Sequence, residues 1–468
     1  MLSVISSIKR LFQLIVVALR GSEQEFTTGG INRAIFVLSV PMILEMGMEG
    51  VFAVVDMFFV SKISTNAVAT VGLTESILYI IYSVAVGLSM ALTAIVARRI
   101  GEKDPERAAN AAFQGILISS AIAIVLGVLG LFFAEDILRL MGGEEDMIQE
   151  GKGYTKIMFG FNISIVLIFV INSIFRGAGN ASIAMRALIL SNCLNIVLDP
   201  LLIFGWGPVP AFGIEGAAIA TTIGRSIGVV YQMSQLFKGN SIIKLTIKNV
   251  VLRMKTVVEI LKVAIGGMGQ FLIESASWII LVRIVSMFGT EAVAGYQISM
   301  RVIFFTILPA WGMSNAVATL VGQNLGAKQP DRAEKTVWLT ARYCMVFLGI
   351  IAVVFFQFAD EVASIFTKEA AVIAIARSAL QVICLGYLFF AYGMAITQAF
   401  NGAGDTKTPM VVNVIVFWLF QIPFAYLTAV HFDLREVGVF ISIAVAHSIH
   451  AVVCLFIFRK GKWKETKV

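Results

Sequence analysis

Apolar runs long enough to cross a bilayer follow one another along almost the whole chain, separated by short polar connections. About 30 Å of hydrocarbon takes roughly 20 apolar residues of helix. Such runs begin near Ala34, Thr70, Ala108, Tyr154, Met185 and Gly213, and a second set begins near Val257, Val293, Lys335, Ala376, Met410 and Gly438. The pattern predicts an all-α polytopic membrane protein of about twelve transmembrane helices. Its connections alternate in charge. Those holding Arg98 to Arg107, Lys238 to Lys262 and Lys328 to Arg342 are basic, as is the end from Arg459, whereas Glu135 to Glu150 and Asp360 to Glu369 lean acidic. Excess Lys and Arg marks the cytoplasmic side, so both termini are expected inside a cell (inner or plasma) membrane, which requires an even number of spans.

The two sets of runs are copies. Arg99-Ile-Gly-Glu-Lys-Asp-Pro-Glu-Arg-Ala108 recurs as Asn324-Leu-Gly-Ala-Lys-Gln-Pro-Asp-Arg-Ala333, and Phe175-Arg-Gly-Ala-Gly-Asn180 recurs as Phe400-Asn-Gly-Ala-Gly-Asp405. Pro105 and Pro330 are 225 apart, as are Gly179 and Gly404, Ala67 and Ala292, Met185 and Met410, and Gly213 and Gly438. A unit with an even number of spans enters twice from the same side, so the copies are predicted to be related by an axis along the membrane normal, enclosing a central cleft. The expected organisation is an interfacial segment at 1–30, an N-lobe at 31–237, a cytoplasmic linker at 238–256, a C-lobe at 257–458 and a basic cytoplasmic tail at 459–468. Met1 to Arg20 could pass for a signal peptide, but Lys9 interrupts it and no small-residue cleavage site follows Arg20, which favours an amphipathic segment at the interface.

Composition agrees with lipid as solvent. Of 468 residues 58% are apolar and 14% charged, against about 25% charged in soluble domains, and the mean hydropathy is +0.89. The net charge of +7 sits in the short connections and so speaks for membrane orientation rather than nucleic acid. Cys193, Cys344, Cys384 and Cys454 fall inside apolar runs without metal spacing and read as buried free thiols. The three histidines are too scattered for a metal site. Arg176-Gly-Ala-Gly179 ends a helix and lacks the preceding strand of a phosphate loop, and no P-loop is present. No cofactor is expected, and no nucleophile–base pair suggests an enzyme.

A charge at mid-bilayer costs about 2.5–3.5 kcal/mol on insertion scales, so each one needs a reason. The first helix carries Glu45, Glu49 and Asp56. At roughly 100° per residue, all three fall within roughly 40° of one face, which cannot face lipid. The fifth helix adds Asn195 and Asp199 one turn apart, and Pro200 removes a donor to the Ile196 carbonyl and disfavours helical geometry at Asp199. With Thr221 and Thr222 of the sixth helix, these oxygens suit Na⁺ or a proton, unless the hydroxyls bond back to helix carbonyls. The second copy has Leu281, Phe420, Phe424 and Ala446 where the first has Asp56, Asn195, Asp199 and Thr221. Packing alone would make similar demands on both copies, so the polar cluster points to a task of the first. Glu49 alone keeps its counterpart, Glu274, for which the plain alternative is an ion pair with Arg301.

The chain resembles the multidrug and toxic compound extrusion (MATE) transporters, in particular the DinF-like branch, from about Ile31 to Arg459. The resemblance rests on Ser39-Val-Pro41, Val55-Asp56, Val60-Ser61, Arg176-Gly-Ala-Gly-Asn180, Asn195-Ile-Val-Leu-Asp-Pro200 with Ile203-Phe-Gly205, Gly216-Ala-Ala-Ile-Ala-Thr221 and Gly402-Ala-Gly-Asp405. It implies a V-shaped pair of six-helix bundles that exports organic, often cationic or lipophilic, compounds in antiport with H⁺ or Na⁺ by alternating access. It also implies a cation site in the N-lobe at Asp56, Asn195, Asp199 and Thr221. Glu45, Glu49 and Glu274 are further candidates for cation or substrate contact. The NorM-like branch pairs its counterpart of Glu274 with an acid on the tenth helix, and none lies between Leu380 and Ala399 here. A monomer in the lipid bilayer is expected. A lipid-linked oligosaccharide flippase of the related superfamily is the competing function, and a non-transporting scaffold a third.

Overall fold

The computed structural model describes residues 12–21, 25–238 and 242–468. A short helix, α1, covers 12–20. The first unit then runs α2 (Ile31–Val60), α3 (Thr65–Gly101), α4 (Pro105–Leu140), α5 (Glu145–Gly160), α6 (Ile163–Gly177), α7 (Ala181–Phe204) and α8 (Ile214–Lys238). The second comprises α9 (Met254–Val285), α10 (Thr290–Gly326), α11 (Pro330–Ser364), α12 (Ala370–Cys384), α13 (Tyr387–Ala403), α14 (Lys407–His431) and α15 (Arg435–Arg459). Among the described residues, ten stretches are long and apolar enough to cross a membrane, α5 with α6 counting as one, and the pair α12–α13, bent by 57°, makes eleven. Helix α8, 25 residues long and carrying Thr221, Thr222, Arg225 and Gln232, is not among them, so ten or eleven of the about twelve spans expected stand out by length and composition.

The internal repeat is structural as well as sequential. Helices α3 and α10 each span 37 residues and begin 225 positions apart. Pro105 and Pro330 each open the following helix, where their missing N–H costs nothing. Lys103 and Lys328 before them adopt φ 59° and 58°, and Gly179 and Gly404 adopt 84° and 87°. Large apolar side chains on α4, such as Ile124, Val125, Phe132 and Phe133, are exposed, as expected of a surface bathed by lipid.

The two units meet through small residues on the side that carries the start of α2 and the C-terminal segment, here called the terminal side. Gly312 packs on the backbone at Met42 and Ile43, Gly87 on that at Ala264 and Met268, Gly101 on Gln323, and Gly326 on Arg98. Farther along these faces Gly50 meets Leu308 and Phe305, and Tyr79 meets Phe271. Farther out, Val54, Phe58, Gln297 and Arg301 are exposed, so the bundles diverge toward the distal side as a V.

The described segments before α2 and after α15 tie across the closed side. Arg186 of α7 donates to the Leu19 carbonyl at 2.7 Å, while Arg332 of α11 donates to the carbonyls of Phe26, Thr28 and Gly29. Near the C-terminus Trp463 stacks on Phe458, Lys464 pairs with Glu334 at 2.6 Å, and Arg98 of α3 reaches the Thr466 carbonyl. The segment expected to be a basic tail is thus packed against α3, α11 and α15. Of the interfacial segment, residues 1–11 and 22–24 lie outside the described residues, as do 239–241 of the linker.

Candidate functional site

Helices α2, α7 and α8 carry the candidate groups, with α3, α5 and α6 packed behind them. Asn195 and Asp199 are one turn apart on α7, and the Asn195 Nδ2 donates to Asp199 Oδ1 at 3.1 Å and to Thr221 Oγ1 at 3.2 Å. Asp199, Asn195 and Thr221 are buried, as is Asp56 on α2. Asp199 Oδ2 and Asn195 Oδ1 have no protein partner. Asp56 makes no ion pair among the described residues, yet lies within electrostatic reach of Asp199, Glu75 and Arg225. Unsatisfied buried oxygens of this kind are costly and call for a cation, a proton or water. Helix α7 stays helical through Asp199 and Pro200, although the proline disfavours helical geometry at Asp199. Packing against α8 and α2 holds it, and the proline only removes one internal donor.

The other two carboxylates of α2 have arginine partners. Glu45 accepts from Arg176 Nη1 at 2.7 Å and from Asn172 Nδ2 at 3.1 Å, and Gln232 of α8 donates to Asn172. Glu49 lies 3.6 Å from Arg225 Nη2, and the Arg225 guanidinium sits over the Phe52 ring at 5.2 Å. The expected shared face of Glu45, Glu49 and Asp56 is thus a face toward α6, α7 and α8. In the second unit, Glu274 makes no ion pair among the described residues, so the pairing with Arg301 does not form, and Arg301 and Arg283 are exposed. Leu281 and Ala446 are fully buried, whereas Phe420 and Phe424 are half-buried and stack on each other at 5.1 Å, so apolar side chains stand at the positions equivalent to the polar cluster.

Two residues escaped the sequence reading. Glu75 of α3 is exposed one turn distal of Tyr79, and both it and Asp56 are within electrostatic reach of the buried Tyr154. Its signal, a lone carboxylate in the apolar run from Val68 to Ser83, was the same as that of Asp56. Arg225 stands within the sixth apolar run, but nothing in the sequence names its partners. Cys344, Cys384 and Cys454 are buried as expected, whereas Cys193 is exposed, because its side of α7 is turned away from the bundle.

A model of the family MatE matches residues 41–201 and again 268–427. The chain belongs to the MatE family. The two consecutive matches fall on the two units of the repeat. A relative named "Probable multidrug resistance protein NorM" from Thermotoga maritima is 26% identical, with 94% of each chain aligned. A structure titled "Crystal structure of MATE in complex with MaL6" superposes with a TM-score of 0.88 at 26% identity, covering 96% of this chain and 99% of that one. Another, titled "Outward-facing conformation of a multidrug resistance MATE family transporter of the MOP superfamily", gives 0.88 at 26% identity over 95% of this chain and 100% of that one. This MatE chain is accordingly a multi-pass membrane transporter with the family's paired-bundle fold.

Proposed function

We propose that the protein is a secondary active exporter of organic, cationic or lipophilic compounds, driven by inward movement of H⁺ or Na⁺ through the N-lobe. The observation that carries this reading is the pair of unpartnered, buried oxygens on Asp199 and Asn195 beside Asp56, in a unit whose twin has only apolar groups there. The names of the relatives above point the same way. With both termini in the cytoplasm, the V opens outward, the state in which an exporter releases cargo and reloads its coupling ion. Asp56, Asn195, Asp199 and Thr221 would take the ion, and Glu75 would face its route from the cleft. Each pH unit supplies about 1.36 kcal/mol per proton and each charge moved through 100 mV about 2.3 kcal/mol, enough to bias two packings of similar energy. A lipid-linked oligosaccharide flippase is expected to line its cavity with cations. Here the arginines inside the N-lobe are matched by glutamates.

The test is efflux from proteoliposomes under imposed pH or Na⁺ gradients. Asp56→Asn and Asp199→Asn should insert normally and lose gradient-driven transport. Unimpaired efflux from either variant would remove its residue from the coupling site.

A further inference from the structure

Arg225 is an incompletely satisfied cation between two anions. It is 4% exposed, and its Nε and Nη1 have no partner. Its only ion pair among the described residues, 3.6 Å to Glu49 through Nη2, is longer than a good charge-assisted hydrogen bond. Glu49 Oε1 is itself buried without a partner. Along α2, Glu49 and Asp56 are seven residues apart, about 10 Å of helix rise. Phe52 lies between them on the same face, and its ring carries the guanidinium. On α8, Arg225 is one turn from Thr221, whose hydroxyl belongs to the Asn195–Asp199 cluster. The charged and titratable groups around Arg225 are Glu49 and Asp56 of α2 and Tyr82 of α3, with Glu75 of α3 acting on Asp56.

We propose that Arg225 is an internal counter-cation of the N-lobe site: it rests on Glu49 while Asp56 and Asp199 hold their coupling ion, and slides across the Phe52 ring to Asp56 when that ion leaves. The inference rests on the reading of Asp56 and Asp199 as the coupling site. Its physical basis is that a vacated carboxylate pair in a dry interior would be left as bare anions, and a tethered guanidinium neutralises them without another ion entering. The stacked, half-paired arrangement suits such movement, because Arg keeps its aromatic contact while exchanging carboxylates. The incoming ion then has to displace Arg225, which lowers the affinity of the site and speeds release on the other side.

Two substitutions move the affinity in opposite directions. In proteoliposomes, Arg225→Gln removes the competitor, so the half-activating concentration of the coupling ion should fall about tenfold while the maximal rate drops. Glu49→Gln removes the resting partner and frees Arg225 to compete, so that concentration should rise about tenfold. Arg225→Lys keeps the charge but not the planar stack, and should fall between Arg225→Gln and the unchanged protein. Thermal unfolding in detergent identifies a variant that does not fold, and the Glu49→Gln and Arg225→Lys arms decide alone if Arg225→Gln is one. Shifts of the same sign in Arg225→Gln and Glu49→Gln, or no shift in either, overturn the proposal. Gradient-driven efflux that survives Asp56→Asn would instead overturn the coupling site itself.

Discussion

Closure of the terminal side depends on glycines, and Gly87→Ala tests that dependence most directly. A Cβ at position 87 would lie 2.5 Å from Met268 Cγ, 2.6 Å from the Ala264 carbonyl oxygen and 2.7 Å from the Met268 nitrogen. The last two are backbone atoms of α9 and cannot rotate aside, and Gly267 on the same helix packs against Gly87 in return. Ordinary contacts lie at about 3.5–4.0 Å, so α3 and α9 must part by about 1 Å. Overpacking of this kind costs about 1–3 kcal/mol. The cost falls on the state in which the bundles touch here and is relieved when they separate, so the ratio of the two states should change by about 5- to 150-fold. Spin labels at Glu106→Cys and Lys335→Cys, both exposed on the terminal side of different bundles, read the separation by electron double resonance. The exposed Cys193 must first be replaced by Ser. Gly87→Ala should lengthen the dominant distance. Identical distance distributions, together with unchanged transport, would refute a close-packed glycine seal that opens in the cycle.

Removing Arg176 by Arg176→Ala leaves the Glu45 carboxylate buried with Asn172 alone, which should cost about 3–5 kcal/mol and lower the unfolding temperature in detergent. Adding Glu45→Gln should restore most of that loss, and an unchanged midpoint in the single variant would show the pair to be inert. Arg332→Ala withdraws the donor from the carbonyls of Phe26, Thr28 and Gly29. Amide exchange across 25–30 should then speed up while mid-α2 stays protected, and equal exchange would mean the strap is held elsewhere. Glu75→Gln removes a negative charge within reach of Asp56 and breaks no ion pair among the described residues. It should raise the half-activating concentration of the coupling ion about 3- to 10-fold without altering stability, and an unaltered concentration would take Glu75 off the ion's route.

Sequence alone settled what depends on one residue and its immediate neighbours along the chain. Whether a run can lie in hydrocarbon is a sum over that run, so the spans from α2 to α15 and their 225-residue repeat were visible, down to Pro105 and Pro330 opening equivalent helices. A carboxylate inside such a run is costly wherever its helix lies, and this alone singled out Asp56, Asp199, Glu45 and Glu49 and would have singled out Glu75. What offsets that cost could not be read along the chain, because it is a matter of distance between helices. Only the packed bundle shows Glu45 taken by Arg176 131 positions away, Glu274 left without Arg301, and Arg225 set between Glu49 and Asp56. Burial is a local property of a segment, whereas the pairing of buried charges is decided by which helices become neighbours and which faces they turn to one another.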